Sequence, residues 1–216
     1  PIQGEFRREG AIAPDFQLDD VLPRFTDEAI GIIKRHDAEK PLMLYLAYPA
    51  PHTPWLPAPA FRGKSGAGMY GDFVMMVDHE VGRVCAALDA AGMARDSLLV
   101  FTSDHGMAFA GGKTTVYEGG LKVPFVVRNP YENKRGIKHK SLISHIDITP
   151  SLLDFAGALD HKKNRPTLWI EKQNEKKIKS GVPKDNLGNI HKLARYHGKS
   201  WLSILGDPAK NHWNEI

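Results

Sequence analysis

The chain has 216 residues and a single cysteine, Cys85, so it can close no disulfide within itself. One thiol leaves the redox compartment open. No apolar run approaches the ~20 residues that span a bilayer, which excludes a transmembrane helix. The opening Pro-Ile-Gln-Gly carries neither an initiator methionine nor a charged-then-apolar leader, so it fits a mature chain and a cut one equally. Internal repeats are absent. What is present, 42% hydrophobic and 25% charged residues, is ordinary globular material sufficient for one domain and part of a second. The formal charge of +4 and isoelectric point near 9.1 fit an anionic substrate or a solvated surface, the second being the better prior. No nucleic-acid partner is expected.

The most informative stretch runs from Leu98 to Pro124. Leu98 to Thr102 is a continuous apolar, β-branched and aromatic run of strand length, and Ser103-Asp104-His105-Gly106 begins where it stops. In open α/β sheets ligands bind at that position. Asp104 and His105 can present an oxygen and a ring nitrogen there, and Lys113 can return a positive charge after a flexible Gly-rich loop. The set suits a divalent metal beside an anionic substrate. Asp-His-Gly after a strand is also an ordinary turn, because Asp bonds nearby backbone and Gly accepts φ > 0. A phosphate loop is set aside. Five residues lie between Gly106 and Gly112 where that motif has four, and Glu118-Gly119-Gly120 and Pro124 leave no long helix after Lys113.

Ser103-Asp104-His105-Gly106, Gly112-Lys113, Tyr117-Glu118-Gly119-Gly120 with Val123-Pro124, and the upstream Ala50-Pro51-His52-Thr53-Pro54 together resemble the sulfatase family of the alkaline-phosphatase-like superfamily. The likeness extends from about Ala11 to Trp213. It implies an α/β fold, a mixed sheet flanked by helices, here incomplete and with the start of a small C-terminal subdomain. It further implies one calcium or magnesium ion with Asp104 and His105 among its ligands, Lys113 on the sulfate, and His52 contacting the sulfate and protonating the leaving oxygen. The implied substrate is a sulfated aryl compound or glycan, and the implied compartment lysosomal, secreted or periplasmic. His105 departs from the commoner asparagine at its position. Histidine there also occurs in related phosphate and phosphonate ester hydrolases, which keeps those esters open as substrates.

The rest of the chain is read in order. Residues 1–22 are an irregular lead-in, and Asp19-Asp20 is a surface or capping pair, since Pro14, Asp15 and Gln17 interrupt any buried strand before it. Thr26 caps a helix with Ala29, Ile30 and Ile33 on its apolar face, and His36 is a solvated residue near its end. Pro41 to Tyr48, nearly all apolar, reads as a strand covered on both faces. The prolines after it hold the His52 loop extended. Phe61 to Gly71, with four glycines, reads as a flexible loop. A helix follows with apolar positions 70, 73, 74, 77, 81, 84 and 88, stops at Gly92 and packs on the sheet. Its Asp78, His79 and Glu80 point about 100° apart and cannot share one ion. Leu121 to Arg128 contributes a second strand. Thr149 or Asp147 caps a helix begun by Pro150 and ended by Gly157, and His145 is structural.

Domains are expected at 1–158, a partial catalytic domain, and 159–216, a basic linker and the start of the subdomain. Lys162-Lys163, Lys172, Lys176-Lys177 and Lys179 form either an exposed linker, the favoured reading, or a receptor for a polyanionic glycan. Tyr196 to Leu202 resembles the beginning of the family's subdomain. The family's formylglycine nucleophile arises within Cys/Ser-x-Pro-x-Arg. Cys85 sits instead in Cys85-Ala86-Ala87-Leu88 within a helix, and no serine has the required context. By the same resemblance, the first metal carboxylates and the nucleophile block are expected upstream. Two alternatives follow: part of a sulfuric ester hydrolase that is inactive alone, or a truncated or designed non-catalytic homologue that at most binds anions. The eight residues between Asp104 and Lys113 lean toward the branch acting on N-sulfated glycans.

Overall fold

The computed structural model describes residues 10–161, 165–166 and 198–209. Arg7-Arg8-Glu9, the lysine-rich run 162–179 apart from the backbone of 165–166, and Tyr196-His197 lie outside the described residues. The chain forms two compact units, Pro1–Ser97 and Leu98–Ile216.

In the first unit, a 3-10 turn at Leu18–Asp20 leads into helix α1, Val21–Arg35. The helix starts five residues before Thr26, because Pro23 falls in the first turn, where a missing N–H is harmless. Asp20 occupies the capping position, and Asp19 and Asp20 are both exposed. Thr26 is buried inside the helix with no exposure. Its hydroxyl donates to the Leu22 carbonyl at 3.3 Å and meets the Tyr48 hydroxyl at 2.7 Å. Leu22, Ala29 and Ile33 complete the buried stripe. His36 is the half-buried C-cap, bonded through Nε2 to the Lys40 carbonyl at 2.8 Å.

Helix α2, Gly68–Ala90, buries Phe73, Met76, Val77 and Leu88, and within this unit it packs on α1. Arg83 of α2 joins the two helices, bonding Asp27 at 2.5 Å and Glu80 at 2.7 Å. Asp78 and His79 are exposed while Glu80 is buried, as the helical angle requires. Gly92, at φ 71°, turns the chain out of the helix. The loop before α2 is tied rather than flexible. Asp72 accepts the backbone N–H groups of Gly63 at 2.8 Å and Ser65 at 2.9 Å, which holds its carboxyl below the usual range.

Pro41 to Tyr48 departs furthest from expectation. Among the described residues it pairs with no strand, and Met43 and Tyr45 are 73% and 84% exposed. Apolar composition favours coverage, but a strand exists only where a neighbour accepts its hydrogen bonds.

In the second unit, β1, Leu99–Thr102, pairs antiparallel with β2, Phe125–Arg128, in the register Leu99↔Arg128 to Thr102↔Phe125. Helix α3, Glu118–Leu121, is a single turn before β2. A 3-10 turn at His145–Asp147 leads into α4, Ile148–Phe155. Asp147, not Thr149, occupies the N-cap of α4, without a side-chain cap bond of its own to that helix; Ser144 caps the preceding 3-10 turn, where its side chain and that of Asp147 each bond the other's backbone. Pro150 is the third helical residue rather than the first, and Gly157, at φ 66°, ends the helix. Strands β3, Leu159–Asp160, and β4, Arg165–Pro166, form a second antiparallel pair. Trp201, 1% exposed, packs edge-on against Phe125 at 5.7 Å. Its backbone N–H bonds Ser151 Oγ at 3.0 Å.

Candidate active site

The polar turn begins where the ladder ends. Thr102 is the last paired residue of β1, and Asp104 follows two positions later. The Asp104 carboxylate accepts the His105 backbone N–H at 3.0 Å, and its second oxygen lies 3.4 Å from His105 Nε2. His105 Nδ1 bonds the Gly106 carbonyl at 2.7 Å. A carbonyl only accepts, so Nδ1 carries the proton and the neutral ring keeps its lone pair on Nε2, the atom facing Asp104. One oxygen and one imine nitrogen thus converge, with the Asp104 side chain 84% and the His105 side chain 35% exposed. Ser103 Oγ donates to the His105 carbonyl at 2.9 Å and stiffens the turn.

The loop to Lys113 is compact, not flexible. Gly106 N–H bonds the Gly120 carbonyl at 3.0 Å, Lys113 N–H the Met107 carbonyl at 2.9 Å, and Gly112 N–H the Phe109 carbonyl at 2.9 Å. Backbone lies on backbone. A Cβ on Gly106 would sit 1.8 Å from the Gly119 carbonyl oxygen, and one on Gly112 2.1 Å from that of Met107. Glycine at these two positions is a packing requirement. The residue after the lysine, Thr114, has φ 67°, a strained value for a β-branched side chain. Lys113 is half-buried, and among the described residues its ammonium has no hydrogen bond or ion pair. The next cation along, Lys122, is neutralised by Glu118 at 2.8 Å.

In the first unit, His52 sits on an exposed turn closed by its own N–H to the Pro49 carbonyl at 3.2 Å, rather than on an extended segment. Its Nδ1 bonds the Thr53 carbonyl at 2.8 Å, so Nδ1 donates and Nε2 keeps its lone pair in the neutral ring. Cys85 lies half-buried inside α2. Among the described residues no three His, Cys, Asp or Glu side chains converge on a common point. Asp104 and His105 stand as a pair.

His145 makes a contact that its sequence neighbourhood does not announce. Its Nε2 bonds the Ser103 carbonyl at 2.8 Å and lies 3.4 Å from Thr102 Oγ1, across separations of 42 and 43 residues. Asp147, next to it on the 3-10 turn, is fully buried, accepting N–H groups from Ser144 and Lys199 at 2.8 Å each.

Residues 10–158 match the family model described as Sulfatase. A Bacteroides thetaiotaomicron N-acetylgalactosamine-6-O-sulfatase is 33% identical over 226 positions, covering 92% of this chain and 43% of that protein. Mouse steryl-sulfatase is 39% identical over 152 positions, covering 62% of this chain and 24% of the relative. This chain therefore spans less than half the length of these relatives. Among solved structures, one from work on metabolism of multiple glycosaminoglycans by Bacteroides thetaiotaomicron superposes with TM-score 0.63 at 28% identity, over 87% of this chain and 37% of that one. A sulfatase from Pseudoalteromonas sp. superposes with TM-score 0.62 at 26% identity, over 69% of this chain and 33% of the other.

Proposed function

The chain belongs to the sulfatase family, and from that premise we propose that it carries part of the active site of a metal-dependent sulfuric ester hydrolase acting on a sulfated small molecule or glycan. The observation that supports this most directly is the half-buried Lys113, whose ammonium has no counter-ion among the described residues, on a loop clasped through Gly106 and Gly120 to the turn bearing Asp104 and His105. A cation with no counter-ion among the described residues favours a dianionic or monoanionic ester group over water.

Asp104 and His105 fit a hard divalent cation in donor type and spacing: an exposed carboxylate oxygen beside an imine nitrogen whose tautomer a backbone carbonyl fixes. Two donors are part of a shell of ~6, so we assign the rest to upstream carboxylates. When bound, calcium or magnesium would offset negative charge on the sulfate oxygens. Lys113 binds and orients the sulfate. His52, with Nδ1–H engaged by Thr53, takes up a proton at Nε2 and delivers it to the leaving alcohol oxygen. The nucleophile, a formylglycine hydrate, belongs to the upstream segment, so residues 1–216 alone are inactive. Residues 1–158 are the catalytic-domain part, and the C-terminal subdomain starts at 159.

The test is kinetic, in a full-length chain that includes the upstream block, with an aryl sulfate and an aryl phosphate in parallel. Lys113→Ala should lower kcat for the sulfate by about 10²- to 10³-fold, the range for losing one aimed charge or donor. An unchanged kcat would refute the assignment. A phosphate monoester turned over faster than the sulfate ester would instead favour the related phosphohydrolase reading that His105 keeps open.

A further inference from the structure

We propose that His145 is a positioning residue for the Asp104–His105 pair, an inference that rests on the metal-binding role given to that pair above. The contacts inside the turn are local, made by residues one or two positions apart. Only ties from elsewhere in the unit can fix the turn relative to the lysine loop and the sheet. One is the Gly106–Gly120 backbone bond at 3.0 Å. Another, among the described residues, is His145, whose Nε2–H donates to the Ser103 carbonyl at 2.8 Å, just beyond the last ladder pair, Thr102↔Phe125. His145 supplies a donor there that a continuing strand would have supplied.

The strut is itself anchored. His145 begins the 3-10 turn whose third residue is the buried Asp147, and that carboxylate binds the backbone of Ser144 and Lys199. Behind it, Gly198 lies so close that a Cβ there would stand 2.0 Å from the Ile146 carbonyl oxygen. Residues 198–201 thus back the turn from which His145 projects. Both the neutral Nε2–H tautomer and the imidazolium donate through Nε2, so this tie is not a pH switch.

Chemistry separates the strut from plain packing. A glutamine amide nitrogen reaches about as far as Nε2, whereas an asparagine amide ends near the Nδ1 position. In the metal-free full-length protein, His145→Ala and His145→Asn should speed hydrogen exchange at the His105 and Gly106 amides roughly three- to tenfold, the factor of one ordinary hydrogen bond. His145→Gln should restore it. Calcium affinity, measured by calorimetry, should fall about three- to tenfold in the same two variants and recover in the glutamine one. Unchanged exchange in His145→Ala, or equal exchange in the alanine and glutamine variants, would overturn the proposal. Asp104→Ala separates the two claims: if it binds calcium as tightly as the parent, the metal assignment fails, while the exchange data still decide whether His145 holds the turn.

Discussion

Gly106→Ala is the sharpest perturbation of the candidate site, because the three atoms nearest the added one are all backbone. Its Cβ would lie 1.8 Å from the Gly119 oxygen, 2.8 Å from the Gly119 carbonyl carbon and 3.0 Å from Gly120 Cα. No side chain can rotate to relieve it, so residues 119–120 must withdraw by more than an ångström and release the Gly106–Gly120 bond. Forced overpacking costs about 1–3 kcal/mol and the lost hydrogen bond about 1, so the variant should be destabilised by about 2–4 kcal/mol. For a chain of this size that is a drop of roughly 5–15 °C in Tm. Gly82→Ala is the internal control: it lies within α2 with nothing within 4 Å of the new Cβ, and it should gain up to about 1 kcal/mol through helix propensity. Thermal unfolding of the two variants and the parent checks both signs. A Gly106→Ala protein as stable as Gly82→Ala would refute the backbone clasp and, with it, the fixed placement of the Lys113 loop against the Asp104–His105 turn.

Three further outcomes are expected. Intact-mass analysis of the chain after expression with a formylglycine-generating system should show Cys85 unmodified, since α2 holds it in Cys-Ala-Ala-Leu; an aldehyde at Cys85 would move the active site to another part of the fold. Asp72 has a lowered folded pKa, so its contribution is fully present above the unfolded value, 3.8 in the reference, and is lost as pH falls through the lower folded value. Proteolysis of the 61–68 loop should therefore be slow near neutral pH, rise only well below pH 3.8, and be fast at all pH in Asp72→Ala, whereas pH-independent cleavage of the parent would contradict this. Thr26→Val should destabilise the first unit by about 1 kcal/mol in denaturant unfolding, since the half-buried Tyr48 hydroxyl loses its partner; a neutral result would refute a contribution from this bond.

Much of the site was legible because its residues lie in local patterns. An apolar run ending at Thr102 followed by Asp104-His105 places two donors at a strand end, and the blocks around His52, Lys113 and Glu118 carry the family likeness that the Sulfatase match over residues 10–158 bears out. Helix α2 was equally readable, since the 3.6-residue apolar period and Gly92 are local signals. Helix α1 was read five residues late because Thr26 looks like a cap. Its hydroxyl serves the Leu22 carbonyl and Tyr48 instead, and Tyr48 is 22 residues away.

The sequence by itself determined the kinds of groups at the candidate site, their order, and the absence of Cys-x-Pro-x-Arg around the one cysteine, because identity and spacing along the chain are all that these require. Tertiary structure alone decided that the Gly-rich loop is clasped rather than flexible, since the Gly106–Gly120 approach is a distance between segments 14 residues apart. It likewise decided that Asp72 ties a glycine-rich loop, that His145 holds the Ser103 carbonyl, and that Pro41 to Tyr48 has no ladder partner among the described residues. Each is a matter of which hydrogen-bonding groups from distant segments meet. Hydrophobic pattern states that a segment is to be covered, and only the folded chain states by what.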